Sequence, residues 1–88
     1  KIYEEATCES YLQIETYGKK MFAEETLNKM KELGFNPYLE EVISKNHDGI
    51  LFRVMIGPMQ SISETNNARE TLIRADFLPL LRTRCTQI

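Results

Sequence analysis

Tryptophan is missing from this chain of 88 residues, histidine occurs once, and there are only four glycines, three prolines and two cysteines. Each shortage excludes something. A lone histidine and two cysteines at opposite ends cannot supply the closely spaced ligands of a structural zinc site. No apolar run approaches the roughly 18 residues needed to cross a bilayer. Basic charge is not in excess either: 11 Lys and Arg face 13 Asp and Glu, for a net charge of −2 and a pI near 5.4. A general nucleic-acid binder would carry a basic face, so that class is excluded. A chain opening on Lys1 rather than methionine is expected to be an excised domain whose parent's anchor lies outside it.

What is present is a regular switching of hydrophobic period. Residues 1–10 are polar and read as a linker or lead-in, leaving 11–88 as one domain. From Tyr11 to Tyr17 apolar and polar residues alternate, which predicts a strand ending at Gly18. Ala23, Leu27, Met30 and Leu33 recur at helical spacing, and Gly34 stands where a left-handed residue closes a helix. Tyr38 to Ser44 reads as an edge strand. Asn46-His47-Asp48-Gly49 is a hairpin signal, and Ile50 to Ile56 is a half-buried strand stopped by Gly57-Pro58. Ser61 and Glu64 form a capping box, Ala68, Leu72 and Ala75 repeat the helical spacing, and Leu80 to Arg84 is a last strand. Pairing Ala23 with Ala68, Leu27 with Leu72 and Met30 with Ala75 suggests an internal repeat. The order β-α-β-β-α-β predicts an α+β fold: a split β-α-β (ferredoxin-like) two-layer sandwich with two helices on one face of a four-stranded antiparallel sheet.

Two consequences follow from that topology. Strands one and three lie at the centre and strand four flanks strand one, so Cys8 and Cys85 are brought together. A disulfide is expected, and with it an oxidising compartment. Strand parity also sorts the sheet. With Leu12, Ile14, Phe52, Val54 and Ile56 towards the helices, Tyr11, Gln13, Glu15, Leu51, Arg53 and Met55 occupy the open face. Arg53 is expected either to meet a ligand there or simply to pair with Glu15 across the strands.

The residues also carry a resemblance. Tyr11-Leu12-Gln13-Ile14 with Tyr17 resembles the opening strand of SPOR domains. Ala23, Leu27, Met30 and Leu33-Gly34-Phe35 are similar to that family's first helix and its Gly-aromatic exit. Phe52-Arg53-Val54-Met55-Ile56-Gly57-Pro58-Met59 resembles its aromatic-Arg-Val-x-Val-Gly-Pro-aromatic strand. The resemblance runs from about Tyr11 to Thr83. It implies a non-catalytic module of the bacterial cell envelope, in the periplasm, without cofactors. Such a module binds septal peptidoglycan, particularly glycan strands stripped of stem peptides. It usually ends a longer cell-division or wall-remodelling protein, so divisome and wall-hydrolase proteins are implied partners and membrane attachment comes only through the parent.

The family's glycan site lies on the open sheet face. Gln13 and Arg53 match its positions, Thr16 matches its small hydroxylated residue, and geometry adds Tyr11, Leu51 and Met55. Removal of a stem peptide leaves a lactyl carboxylate, a charge-assisted partner for Arg53, while Gln13 can donate to and accept from N-acetyl amides. Parity places Thr16 off this face unless a bulge intervenes. Glu15-Thr16 replaces the usual Gly-Ser and Met59 the usual aromatic. A carboxylate at Glu15 on the open face would repel an anionic glycan or hold Arg53 in position.

Rival readings share the topology. Acylphosphatase chemistry needs a Gly-rich, arginine-bearing loop after strand one, and Tyr17-Gly18-Lys19-Lys20 has one glycine and no arginine. An RNA-recognition module would stack aromatics within a basic surface, where strand three offers Leu51, Arg53 and Met55. An envelope protein-protein interaction domain is the main alternative, with Glu40, Glu41 and the acidic first helix docking a basic partner.

Overall fold

The computed structural model describes residues 6–46 and 49–87. Six elements follow in order: β1 (Ala6–Tyr17), α1 (Lys20–Glu32), β2 (Pro37–Ile43), β3 (Ile50–Ile56), α2 (Ile62–Arg74) and β4 (Leu80–Gln87). The strands form one antiparallel sheet ordered β2-β3-β1-β4. This is the expected α+β split β-α-β sandwich. The hairpin residues His47 and Asp48 lie outside the described residues.

Strands β1 and β4 are longer than their apolar patterns suggest. β1 starts at Ala6 rather than Tyr11, and β4 runs to Gln87 rather than Arg84, because Ala6 to Ser10 pair with Gln87 to Thr83. Thr7, Cys8 and Glu9 are exposed, as are Thr83 to Thr86. This ribbon has no buried face among the residues whose exposure is described, and therefore shows no alternation of hydrophobicity. A Cys8–Cys85 disulfide closes it, and the two residues are direct cross-strand partners.

The core lies between the sheet and the helices, where Leu12, Met30, Val54 and Leu72 are fully buried, with Ile14, Ile56, Ala23 and Ala68 around them. Each helix presents a line at i, i+3 and i+7 inward: Ala23, Thr26 and Met30 from α1, and Thr65, Ala68 and Leu72 from α2. The threonines are admitted because their hydroxyls are bonded, Thr65 donating to the Ser61 carbonyl at 2.9 Å and Thr26 sharing a 2.5 Å bond with Tyr17.

These positions correct the internal repeat. The two helices superpose at an offset of 42, since Lys20 to Glu32 maps onto Ile62 to Arg74. That offset pairs Thr26 with Ala68 and Met30 with Leu72. It also pairs the two left-handed closing residues, Gly34 at φ 93° and Asp76 at φ 67°. Phe35 and Phe77 then coincide too, each donating its N–H back to the helix, to Met30 at 3.0 Å and Leu72 at 2.9 Å. Matching Ala23 to Ala68 followed apolar letters alone and ignored the buried threonines. The capping box at the start of α2 forms with one change. Ser61 accepts from the Glu64 N–H at 3.0 Å, whereas the Glu64 carboxylate accepts from the Gln60 N–H at 2.7 Å.

The Gly57-Pro58 stop at the end of β3 packs against β1. Gly57 has φ 142° and is followed by a cis peptide bond. A Cβ at Gly57 would lie 2.7 Å from Tyr11 Cδ2 and 3.2 Å from the Ser10 carbonyl oxygen. Gly57→Ala should therefore destabilise the domain by about 1–3 kcal/mol, through backbone strain and displacement of the Tyr11 ring. Thermal unfolding of the variant checks this, and an unchanged midpoint would show that the loop gives way freely.

Candidate functional site

The helix-free face of the sheet brings together residues from all four strands. Its middle row follows the pairing Tyr38, Met55, Gln13, Leu80 across β2, β3, β1 and β4. One flanking row holds Glu40, Arg53 and Thr16, the next Val42 and Leu51, and on the other side Tyr11 pairs with Arg82 and Glu9 with Arg84.

Thr16 owes its place to a β-bulge. The register of β1 against β3 shifts between Gln13 and Glu15, so that Gln13 faces Met55, Glu15 faces Val54 and Thr16 faces Arg53. One extra residue reverses parity for the rest of the strand. Thr16 is thereby turned onto the open face beside Arg53, and Glu15 is turned off it. The expected Glu15–Arg53 pair is thus corrected. Glu15 instead accepts a hydrogen bond from the Tyr17 hydroxyl on the helix side. Burial, and then that bond to Glu15, push the Tyr17 hydroxyl above its ordinary pKa. No carboxylate from β1's central stretch confronts an anionic ligand.

The carboxylate partner of Arg53 is Glu40, the neighbouring residue on β2. Arg53 Nη1 donates to Glu40 Oε1 at 3.0 Å. Arg84 reaches the same carboxylate from β4, its Nη2 lying 2.8 Å from Oε1 and 2.6 Å from Oε2. β2 and β4 are opposite edges of the sheet, roughly 14 Å apart if it were flat. A direct bond between their side chains requires the sheet to curl and the side chains to lean inward, making the open face a shallow trough. Hydrogen bonding to Glu40 raises the pKa of Arg84 further, so it stays a fixed cation.

Aromatic rings line the same trough. Tyr11 and Tyr38 meet edge to face with ring centroids 6.4 Å apart, and the Arg84 guanidinium lies 5.1 Å from the centre of the Tyr11 ring. Burial pushes the Tyr38 hydroxyl upward in pKa, partly opposed by Arg84. Arg82 Nη1 donates to Gln13 Oε1 at 3.1 Å, which engages the amide oxygen and leaves the Gln13 NH2 to donate elsewhere.

The sequence-predicted residues therefore share one face, but in different roles. Gln13 and Tyr11 are half-buried, Thr16 is exposed, and Leu51 is half-buried opposite Val42. Met55 is on this face yet fully buried, a floor between Tyr38 and Gln13 rather than a contact surface. Arg53 keeps 19% of its side chain exposed, and its buried Nε finds no partner among the described residues. Tyr38, Arg82 and Arg84 were missed, and Glu40 was read only as a docking residue of the protein-interaction alternative. The signal for them was parity in the flanking strands, once the paired cysteines set the register of β4. A separate groove of about 820 Å³ lies on the helix side, between the end of α1 and α2 and lined by Leu33, Phe35, Met59 and Asn67. Among the described residues that line it, Glu64 is the one ionic group, and its carboxylate is occupied in capping α2.

A curled four-stranded sheet with an open trough of arginines, tyrosines and amide groups defines a surface-binding module rather than an enzyme cleft. The chain belongs to the SPOR domain family, whose pattern it matches over residues 10–83. SPOR domains are non-catalytic modules that bind peptidoglycan in the bacterial cell envelope. Its fold is similar to the crystal structure of the SPOR domain of RlpA from Pseudomonas aeruginosa. That similarity has a TM-score of 0.75 at 24% identity, over 83% of this chain and 96% of that one. None of the curated proteins matches the sequence.

Proposed function

We propose that the open trough binds peptidoglycan glycan strands that lack stem peptides, and so carries a parent cell-division or wall-remodelling protein to the septum. The observation that supports this reading most is the bulge at Ile14, which places Thr16 beside Arg53 and Gln13 and clears Glu15 from the face. Guanidinium groups suit the lactyl carboxylates exposed when stem peptides are removed. The Gln13 NH2 and the Thr16 hydroxyl suit N-acetyl and hydroxyl oxygens, and the Tyr11 and Tyr38 rings offer apolar faces to sugar rings. Lys19 and Lys20 are exposed at the end of β1 and α1's start, outside the trough, and take no part in this reading.

Pull-down on purified peptidoglycan sacculi tests the reading. Binding should rise after amidase digestion, which removes the stem peptides. Indifference to digestion would favour the alternative, an envelope protein-protein interaction domain with divisome or wall-hydrolase partners. Arg53→Ala should weaken binding about tenfold or more, the loss expected for a charge-assisted hydrogen bond, and Gln13→Ala about threefold. Neither should shift the melting temperature by more than a few degrees, because both side chains lie outside the helix-side core. Wild-type binding by both variants would remove the trough as the site.

A further inference from the structure

Glu40 occupies the position that a ligand carboxylate would need. Its two oxygens engage Arg84 at 2.8 and 2.6 Å and Arg53 at 3.0 Å, so two guanidinium groups of the trough already share one anion of the protein itself. We propose that Glu40 is a resident competitor that limits the affinity of the trough for anionic strands, and that a glycan carboxylate binds by displacing it. The proposal rests on the glycan reading above and deepens it by naming the group that the ligand must displace.

The physical argument is an exchange. A ligand carboxylate entering between Arg53 and Arg84 replaces the contacts that Glu40 gives up, and the Glu40 side chain, 24% exposed, can turn into solvent. Charge-assisted bonds are then conserved in number, and the sugar contacts decide the balance. A neutral acceptor, such as the amide that joins a stem peptide to its sugar, cannot replace a carboxylate between two guanidinium groups. Such a ligand leaves Glu40 in place and does not take over the guanidinium donors that Glu40 holds. An anionic strand thus binds by exchanging one carboxylate for another, and the resident carboxylate lowers its affinity by competing for the same donors. The pairing that holds Glu40 is also incomplete, since Arg53 contributes one donor to it while its Nε has no partner among the described residues.

The experiment compares wild-type protein with Glu40→Gln and Glu41→Gln. Glu41 is the adjacent residue on β2, paired with Phe52 on the opposite side of the sheet, so its substitution makes the same charge change away from the trough. Binding is measured to amidase-treated glycan strands and to neutral N-acetylglucosamine oligomers. Glu40→Gln should bind the treated strands about fivefold more tightly, the gain expected from freeing an ion-paired group at a partly exposed site. Glu41→Gln should stay within about twofold of wild type, and the gain on neutral oligomers should be smaller than on treated strands.

Equal gains from both substitutions would reduce the effect to net charge and overturn the proposal. An unchanged or weaker Glu40→Gln, with wild type still binding, would also overturn it, showing Glu40 to be a scaffold for the arginines while the glycan reading stands. If no protein binds treated strands, the glycan reading falls and takes this one with it. A readout in the wild-type protein is independent of folding defects: the Glu40 carboxyl carbon resonance should move on addition of treated strands. A stationary resonance with ligand bound would overturn displacement.

Discussion

Val54→Asp unfolds the domain at neutral pH. Val54 sits on the central strand β3, is fully buried, and packs with Leu12, Ile14, Met30 and Leu72 beneath the helices. A carboxylate there meets no cation among the described residues, since the arginines of β3 and β4 lie on the other face of the sheet. Burying an unpaired charge costs several kcal/mol even after the group protonates or draws in water. A domain of this size has a total stability on the order of 4–13 kcal/mol, so the substitution removes most of it. Circular dichroism at neutral pH should show loss of cooperative unfolding, while Val54→Thr, of similar shape, should leave a folded but weakened protein. Part of the structure should return in Val54→Asp at acid pH, because burial raises a carboxyl pKa and the folded state then holds the proton more tightly. A cooperative transition in Val54→Asp at neutral pH would mean that β3 has its faces reversed, and with them the whole site.

The fold was legible because the chain switches cleanly between periods of two and three to four residues, with turn or cap chemistry at most boundaries. β3 spans Ile50–Ile56, the bounds its alternation suggests, and Ser61 caps α2 as its spacing to Glu64 predicts. Parity also placed Tyr11, Gln13, Leu51, Arg53 and Met55 on one face. It failed at Glu15 and Thr16, because parity assumes an unbroken ladder and the bulge at Ile14 leaves no mark in residue types. A glutamate and a threonine are at home on either side of a sheet rim. Likewise the helix repeat was displaced because a hydroxyl satisfied by a neighbouring group can be buried like an apolar residue, which a count of apolar letters does not register.

The Glu40–Arg84 ion pair was a different kind of omission. Glu40 and Arg84 sit 44 residues apart in sequence and on opposite edges of the sheet. Nothing local links them. The information existed in the topology: pairing Cys8 with Cys85 sets Glu9 against Arg84, Tyr11 against Arg82 and Gln13 against Leu80. Extending the open face across β4 follows from that register, but the curl that lets Arg84 span the trough does not. Strand order determines neighbours, whereas contact between edges depends on twist and side-chain length.

Removal of the disulfide should give the second large effect, and it acts on the trough as well as on stability. Cys8 and Cys85 are 77 residues apart in sequence, so their bond encloses nearly the whole domain. Loop-closure entropy for a span of this length corresponds to about 4.5 kcal/mol of stabilisation, and loss of native disulfides from small domains commonly costs about 2–5 kcal/mol. For a domain of this size that is a fall in melting temperature of roughly 15–30 °C. Cys8→Ala/Cys85→Ala should nevertheless fold in the cold, since the buried residues all lie between Leu12 and Leu72. Its β1–β4 ribbon should fray, because the residues flanking the cysteines are exposed and contribute little to the core. Arg84 adjoins Cys85 in that ribbon, so fraying also loosens the guanidinium that holds Glu40 and covers Tyr11. The double variant should therefore lose glycan binding at temperatures where its core remains folded. Thermal unfolding and sacculus binding measured on the same preparation separate the two effects. A melting temperature within about 5 °C of wild type would mean that the ribbon already frays in the oxidised protein and that the crosslink restrains the unfolded chain far less than its span implies.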